Sequence, residues 1–369
     1  MHASTKKVRV LLVDDSAFMR KVLQEIVASD PQLEVVGQAK DGLEAVVMAD
    51  SLKPDVITMD LNMPRMDGLQ ATERIMSQNP RPIVVVSSES REGAASTLCA
   101  LELGAIEFVP KPSSGIDLDM KSVGDELNRK LKMAAKVRVV RTAARVKPHH
   151  GGARHVVQHP TATKGSGSSG GNRFPVVVIA ASTGGPATIM RLAPGFPQDL
   201  PAAVLIVQHM PPAFSSQYAV QLAEVTDLEV KEAEANETIR PGVIYVCPGS
   251  HHLRLTSQGR ILLDDGPRVG GYRPCADVTM ESAATFAGPM TIGVVLTGMG
   301  NDGSRGVHSI KSAGGMVFAQ DEASSVIFGM PAEVIKTGAV DQVLALDQVC
   351  AAIDKRVRQL VGVSPVGAR

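Results

Sequence analysis

Short, wholly apolar runs alternate with segments of helical periodicity along this chain, and the alternation occurs on both sides of one polar stretch. The runs before that stretch read VRVLLVDD, LEVVGQA, DVITMDL, PIVVVSS and IEFVPKP, and those after it read VVVIAAS, AAVLIVQH, VIYVCPG, MTIGVVLTG and GMVFAQ. Strands that are apolar on both faces and separated by helices are typical of parallel sheets covered by helices on both sides. We therefore predict two α/β domains, each with a doubly wound parallel sheet, at residues 6–125 and 174–369.

The polar stretch covers residues 126–173. From Leu127 to Phe174 the chain has eleven Lys or Arg residues and no acidic residue, and its later part is rich in Gly, Ser and His. Such a composition buries too little apolar area to offset ordering, so we predict a flexible linker, although helix remains compatible with residues 121–140. Four of the nine histidines lie here, so a metal-binding tract stays open as an alternative, but no spaced carboxylate or cysteine supports it.

Charge and hydropathy argue against several classes of protein. Lys+Arg and Asp+Glu number 38 each, so no net field would recruit nucleic acid or an anionic membrane. No apolar run reaches the roughly 20 residues of a membrane-spanning helix, and no signal-peptide pattern is visible. The four cysteines lack disulfide-framework or metal-site spacing. We expect a cytoplasmic monomer without a nucleic-acid partner and without membrane insertion.

Acidic and basic residues stand at the ends of the strands predicted in the N-terminal domain. The first strand ends in Asp14 and Asp15, the third in Asp60, the fourth in Ser87 and the fifth in Lys111. Because the carboxyl ends of parallel strands meet at one edge, the three carboxylates would repel unless a hard divalent cation, most simply Mg²⁺, lay between them. A carboxylate beside Mg²⁺ and a lysine is suited to attack a phosphoryl group.

The motifs LLVDDS, DVITMDLNMPRMDG, VVVSS and FVPKP resemble those of the receiver domain of bacterial two-component response regulators, which has a flavodoxin-like fold. The resemblance implies that Asp60 accepts a phosphoryl group from a histidine kinase. The implied Mg²⁺ site consists of Asp14, Asp15, Asp60 and the backbone carbonyl of Asn62. The implied switch residues are Ser87, Lys111 and Phe108.

Three residues of the C-terminal domain also follow predicted strands: Ser182, His209 and Asp302. At one sheet edge they could act as nucleophile, base and orienting acid, because such triads are defined by geometry and not by chain order. The order Ser, His, Asp is not that of the α/β-hydrolases, and AASTGG is not a Gly-x-Ser-x-Gly elbow. From the residues alone, Ser182 as a turn or helix N-cap residue and His209 as a buried strand end remain open.

A second alternative is a dinucleotide site. The segment GMGNDG, residues 298–303, satisfies Gly-x-Gly-x-x-Gly and follows a predicted strand, and a later strand ends in an acidic pair. The match lies late in its domain, and Asp302 would stand close to an anionic pyrophosphate. Both features count against nucleotide binding without excluding it.

Six spaced motifs, IAASTGGP, VQHMPPAFSSQYAVQL, YVCPGSHHLRL, GYRPCADVTMESAA, LTGMGNDG and QDEASSVIFGMPAEVI, resemble the chemotaxis protein-glutamate methylesterase family. The resemblance implies a Rossmann-like catalytic domain with Ser182 as nucleophile, His209 as base and Asp302 as orienting carboxylate. The residues implied near the oxyanion and substrate are Thr183, Met299 and Arg273. Ala180 and Cys275 depart from the family pattern, where glycine and serine are commoner.

The implied activity is phosphorylation-activated hydrolysis of glutamate methyl esters on chemoreceptors, with release of methanol, together with deamidation of glutamine side chains. No cofactor is expected in the esterase site. An output domain that only binds partners, such as a receptor scaffold, remains the non-enzymatic alternative.

Overall fold

The computed structural model describes residues 6–88, 90–111, 117–137 and 173–362. Within these ranges the chain forms two parallel sheets, one in each predicted domain, and a small antiparallel hairpin. Both sheets have helices between their strands, so the prediction of two doubly wound α/β domains is confirmed. Most of the predicted linker, residues 138–172, lies outside the described residues.

The N-terminal sheet has five parallel strands in the order β2-β1-β3-β4-β5. Its strands are β1 Val8–Val13, β2 Leu33–Ala39, β3 Val56–Met59, β4 Ile83–Ser87 and β5 Glu107–Pro110. The helices between and after them are α1 Ala17–Ala28, α2 Gly42–Leu52, α3 Gly68–Gln78, α4 Arg91–Glu102 and α5 Asp117–Ala134. Four of these helices begin at side chains that accept an amide hydrogen of the first turn, namely Ser16, Asp41, Asp67 and Ser90.

Helix α5 continues the N-terminal domain past the boundary predicted at residue 125. Leu127, Leu131 and Ala134 are buried against strands β1 and β4 and helix α1, in the same apolar cluster as Val10 and Leu23. The basic composition hid this packing from the sequence analysis, because the apolar residues that recur with helical spacing are interspersed with lysines and arginines.

The C-terminal sheet has seven parallel strands in the order β14-β13-β12-β6-β7-β9-β8. The strands of this domain are β6 Val176–Ala181, β7 Ala203–Gln208, β8 Glu229–Glu232, β9 Val243–Val246, β10 His252–Leu255, β11 Ile261–Asp264, β12 Thr291–Val295, β13 Met316–Gln320 and β14 Gln342–Leu344. Its helices are α6 Gly185–Leu192, α7 Pro212–Val225, α8 Ala276–Ala287, α9 Ser304–Ser312, α10 Met330–Lys336 and α11 Leu346–Val361. Strands β10 and β11 form the separate hairpin.

The order of the C-terminal strands determines where a ligand can bind. Strand β6 lies in the middle of the sheet. The chain continues from it to β7 on one side and later returns to β12 on its other side. The carboxyl ends of β6, β7 and β12 therefore meet at a topological switch point, which is the usual ligand crevice of an open α/β sheet.

The two domains are in contact beside this crevice. The ring of Phe108 at β5 stacks on the ring of Phe214 in α7, with centroids 4.4 Å apart and planes 27° apart. Helix α4 packs on α6 and α7, and Gln221 Nε2 donates to the carbonyl of Ala95 at 3.4 Å. One apolar cluster consequently runs through both domains. No helix in the described ranges is long and apolar enough to cross a membrane.

Candidate active site and phosphoacceptor site

The three predicted metal-binding carboxylates of the N-terminal domain lie together. One oxygen of each of Asp14, Asp15 and Asp60 falls within a group whose atoms are all within 4.8 Å of one another. Asp14 and Asp60 are buried, whereas Asp15 is exposed. Lys111 Nζ lies 3.0 Å from Asp14 Oδ2 and 2.9 Å from Asp60 Oδ2. One ammonium group does not neutralise three carboxylates, so this all-oxygen cluster fits a hard divalent cation such as Mg²⁺.

The electrostatics of Asp60 agree with this arrangement. Burial raises the pKa of Asp60 above its ordinary value, and the hydrogen bond and charge of Lys111 oppose the shift without cancelling it. Burial alone would lower the pKa of Lys111, but the hydrogen bonds and charges of Asp60 and Asp14 outweigh it and raise that pKa. The amide of Asn62 donates to Asp60 Oδ1 at 3.4 Å, which places Asn62 beside the cluster.

The predicted switch residues connect this cluster to the domain contact. Ser87 Oγ is buried and donates to the carbonyl of Gly93 at 3.4 Å. Phe108 is also buried, stacked on Phe214. Lys130 Nζ donates to the carbonyl of Phe108 at 2.7 Å and lies 5.4 Å from the centre of its ring. Phe108 therefore lies between the N-terminal domain and α7 of the C-terminal domain.

Ser182 follows β6 directly, in a turn that requires glycine at two positions. Gly184 has φ +74°, and a Cβ there would lie 2.6 Å from Cβ of Val326. A Cβ on Gly185 would lie 2.8 Å from Cβ of Ala181 and would collide with Oε1 of Gln208. The amide of Gly185 closes the turn on the carbonyl of Ser182 at 2.8 Å, and α6 starts there. The glycines thus hold Ser182 at the sheet edge, next to a helix N-terminus.

His209 and Asp302 form a direct pair. His209 follows β7, the neighbour of β6, and its amide donates to the carbonyl of Ala181 at 3.1 Å. Its Nε2 lies 2.7 Å from Asp302 Oδ2. An ionised carboxylate only accepts, so Nε2 carries the proton and Nδ1 of the neutral ring is a free acceptor. Nδ1 is buried and has no hydrogen-bond partner among the described residues.

Asp302 is the most heavily bonded side chain of the site. Its Oδ2 accepts from the amide of Ala276 at 2.7 Å besides His209, and its Oδ1 accepts from the amides of Asp277 at 3.0 Å and Gly303 at 2.9 Å. The thiol of Cys275 adds a further donor to Oδ1 at 3.1 Å. Burial alone would raise the pKa of Asp302, but the bond and charge of His209 and the helix amides outweigh it, so the pKa is lowered.

The bonding of Asp302 bears on two other interpretations of this loop. Its carboxylate already occupies the amide of Gly303 and the first amides of α8, so an anionic pyrophosphate would meet a negative charge where it needs donors. Cys275, Asp277 and Asp302 stand close enough together to suggest a metal, but five hydrogen bonds to the Asp302 oxygens leave little capacity for one. The geometry disfavours both a dinucleotide and a metal here.

The remaining predicted residues border the crevice with different contacts. Thr183 is buried and its carbonyl accepts from the hydroxyl of Thr297 at 3.0 Å. Met299 Sδ lies 3.2 Å from NH1 of Arg129, a residue of α5 in the N-terminal domain. Arg273 NH1 donates to two loop carbonyls, Asp265 at 2.6 Å and Gly266 at 2.9 Å. In this conformation the Arg273 guanidinium therefore braces the loop beside the crevice.

Three contacts at the site were not predicted from the sequence. The ring of Tyr272 stacks on His209 with centroids 4.3 Å apart. The buried side chain of Gln208 donates from Nε2 to the carbonyls of Ser182 at 2.9 Å and His209 at 3.1 Å, joining the two strand ends. Arg129 reaches the site from the other domain. The only signal for Tyr272 and Gln208 was their place inside the motifs GYRP and VQHMPP, and Arg129 had none.

Two family models match the chain, the response regulator receiver domain over residues 10–121 and CheB methylesterase over residues 177–353. Among similar proteins is the protein-glutamate methylesterase/protein-glutamine glutaminase of Pyrococcus abyssi, 44% identical over 371 residues, which span 100% of this chain and 98% of that protein. The protein of the same name from Pyrococcus horikoshii is 45% identical over 366 residues, spanning 98% and 97%. That of Symbiobacterium thermophilum is 44% identical over 355 residues, spanning 95% and 98%.

Proposed function

Since the chain belongs to the protein-glutamate methylesterase/protein-glutamine glutaminase family, we propose that it hydrolyses glutamate methyl esters on chemoreceptors and releases methanol. The observation that carries the proposal is the 2.7 Å contact between His209 Nε2 and Asp302 Oδ2. His209 follows β7 and Asp302 follows β12, the two strands on either side of β6, which presents Ser182. A carboxylate, an imidazole and a hydroxyl at one sheet edge are the parts of a serine hydrolase.

The contacts indicate how the triad works. Asp302 holds Nε2–H of His209, so Nδ1 is the nitrogen that takes the proton of Ser182 as the serine oxygen attacks the ester carbonyl. His209 then returns the proton to the leaving methoxide, and an acyl-enzyme remains. Water activated by the same nitrogen cleaves the acyl-enzyme and restores Ser182. Asp302 stabilises the imidazolium that forms in each half-reaction.

We place the developing oxyanion beside Ser182 at the N-terminal end of α6, where a helix leaves amides without intrahelical partners, and we assign Met299 to the same region. One such donor contributes about 3 kcal/mol in comparable sites. Deamidation of glutamine follows the same route with ammonia as the leaving group. Neither reaction requires a cofactor in this crevice.

Regulation follows from the contacts of the N-terminal domain. Asp60 is the proposed phosphoacceptor, and a histidine kinase is the proposed donor. Mg²⁺ held by Asp14, Asp15, Asp60 and the carbonyl of Asn62 would neutralise charge on the phosphoryl oxygens. Lys111, already bonded to Asp60, would bind the same oxygens.

In this structure the N-terminal domain lies against the crevice, with Phe108 on Phe214 and Arg129 on Met299, and we assign this arrangement to the inactive form. A phosphoryl group on Asp60 would draw the Ser87 hydroxyl away from the carbonyl of Gly93 and release Phe108 from its stack. The crevice would then open to a receptor helix. We expect the protein to act as a cytoplasmic monomer.

Methanol release from methylated receptor membranes, with and without a small phosphodonor plus Mg²⁺, tests this proposal. Release should rise with the phosphodonor and vanish in Ser182→Ala. Ser257→Ala is the matched control, because Ser257 is exposed in the turn between β10 and β11. A Ser182→Ala protein that still cleaves the esters would contradict the catalytic assignment, and release unaffected by the phosphodonor would contradict the switch.

A further inference from the structure

Helix α8 begins in an unusual way, at the residue that also touches the triad. Cys275 is the N-cap residue of α8, yet its side chain makes no hydrogen bond to the first turn of its own helix. The carboxylate of Asp302, distant in the chain, accepts the first two amides, those of Ala276 and Asp277. The thiol of Cys275 turns to the same carboxylate, with Sγ 3.1 Å from Oδ1.

We propose that Cys275 is a positioning residue for the esterase reaction: its thiol donates to Asp302 Oδ1 and thereby keeps Oδ2 on His209 Nε2. The inference rests on the proposed function. It adds a residue that touches neither the substrate nor the reacting atoms and acts through Asp302.

The protonation state of the thiol supports a donor role. Cys275 is 1% exposed, and burial, together with the charge of Asp302, raises its pKa to about 12. At neutral pH the group is therefore an S–H, which can donate to a carboxylate, and not a thiolate, which would repel one. Its inaccessibility and high pKa also make it a poor nucleophile.

The two oxygens of Asp302 are held in different ways. Oδ1 accepts from Cys275 and from the amides of Asp277 and Gly303, whereas Oδ2 accepts from Ala276 and His209. The other donors to Oδ1 are backbone amides, whose positions are set by α8 and the loop of Gly303. The thiol is the one side-chain donor to Oδ1 within the described residues.

Loss of the thiol should weaken the hydrogen bond between Asp302 and His209. A carboxylate with one donor fewer is held less tightly, so the bond of its Oδ2 to Nε2 of His209 should lengthen. The other charged or titratable groups around the pair are Tyr272, Asp277, Arg305 and Arg129. They are unchanged between the variants compared below, so a difference reports on the thiol.

The experiment compares full-length wild type with Cys275→Ala, which removes the donor, and Cys275→Ser, which keeps one. Cys350→Ala is the matched control, because Cys350 is another buried thiol with a pKa raised to about 12 and a bond to a carbonyl, that of Leu192, outside the site. The constants kcat and KM are measured on methylated receptors with phosphodonor and Mg²⁺. The proton signal of His209 Nε2–H is recorded by NMR without substrate and assigned through His209→Gln.

Cys275→Ala should lower kcat about fivefold, as expected for one weak hydrogen bond to a charged group. KM should stay unchanged, because the thiol does not touch the substrate, and the His209 Nε2–H signal should shift or disappear. Cys275→Ser and Cys350→Ala should keep the wild-type kcat and the wild-type signal. An unchanged signal in Cys275→Ala would overturn the proposal, as would loss of the signal in a folded Cys275→Ser protein if Cys275→Ala does not fold. The substrate-free spectrum distinguishes this failure from failure of the esterase assignment, which would appear as absent methanol release in wild type.

Discussion

Replacing Phe108 with alanine should activate the enzyme without phosphorylation. Phe108 is 2% exposed and stacks on Phe214 across the domain contact. Burying a whole phenylalanine side chain contributes about 1.5–3 kcal/mol of stability. Only one face of the Phe108 ring is covered by the other domain, so its burial contributes about 1 kcal/mol to the docking of the two domains. The aromatic pair adds about 1 kcal/mol. A loss of about 2 kcal/mol shifts the equilibrium between docked and released domains about thirtyfold toward the released state.

The assay is methanol release without a phosphodonor, followed by the same assay with phosphodonor and Mg²⁺. Basal release should rise by up to about thirtyfold, limited by the fully stimulated rate, while the stimulated rate stays near that of wild type. The ratio of stimulated to basal rate should therefore fall because the basal rate rises. Phe108→Leu, which keeps apolar bulk but not the stack, should give an intermediate ratio.

Phe286→Ala is the control for nonspecific damage. Phe286 is a buried aromatic residue of the C-terminal domain that contacts Phe174 edge to face, with ring centroids 6.1 Å apart. Its loss should lower the free energy of unfolding and leave the ratio of the two rates unchanged. A folded Phe108→Ala protein with wild-type basal release would refute the argument that the stack holds the crevice closed.

Three further predictions concern single side chains. Gly185→Ala should abolish methanol release, because the new Cβ would collide with the side chain of Gln208. The same collision should lower the free energy of unfolding by about 2 kcal/mol in urea denaturation. An active variant of wild-type stability would contradict the tight turn. The pKa of Asp302 is lowered on folding, so its ionised form stabilises above the unfolded pKa of about 3.9 and the effect is lost as pH falls through the folded value. The stability difference between wild type and Asp302→Asn should accordingly be full at pH 6 and shrink below about pH 4 in urea titrations, and a constant difference would argue against it. The pKa of Asp60 is raised on folding, so its ionisation opposes folding above the unfolded pKa. Without Mg²⁺ at pH 7, Asp60→Asn should therefore have a higher Tm than wild type. Added Mg²⁺ should raise the Tm of wild type more than that of the variant.

The strand edges show where prediction from the sequence succeeded and where it stopped. The central strands, such as β6 and β12, are apolar on both faces, and their sequences predicted them directly. Strand β8, with the sequence EVKE, and strand β14 lie at the two edges of the C-terminal sheet and are partly exposed, so no apolar run marked them. The hairpin of β10 and β11 was missed because each strand has only four residues, HLRL and ILLD, and neither forms a long apolar run.

For the candidate site, the sequence alone determined the residue types and their positions: a serine, a histidine and an aspartate, each placed after an apolar strand. A parallel sheet brings such positions to one edge whatever lies between them, so their meeting could be predicted from local pattern and motif. Tertiary packing decided which atoms meet. Asp302 lies at the N-terminus of α8 and bonds Nε2 of His209, which leaves Nδ1 as the free acceptor of the ring. The contact of Arg129 with Met299 depends on how two domains dock, and side chains so far apart in sequence are paired by surface complementarity, which no local pattern records.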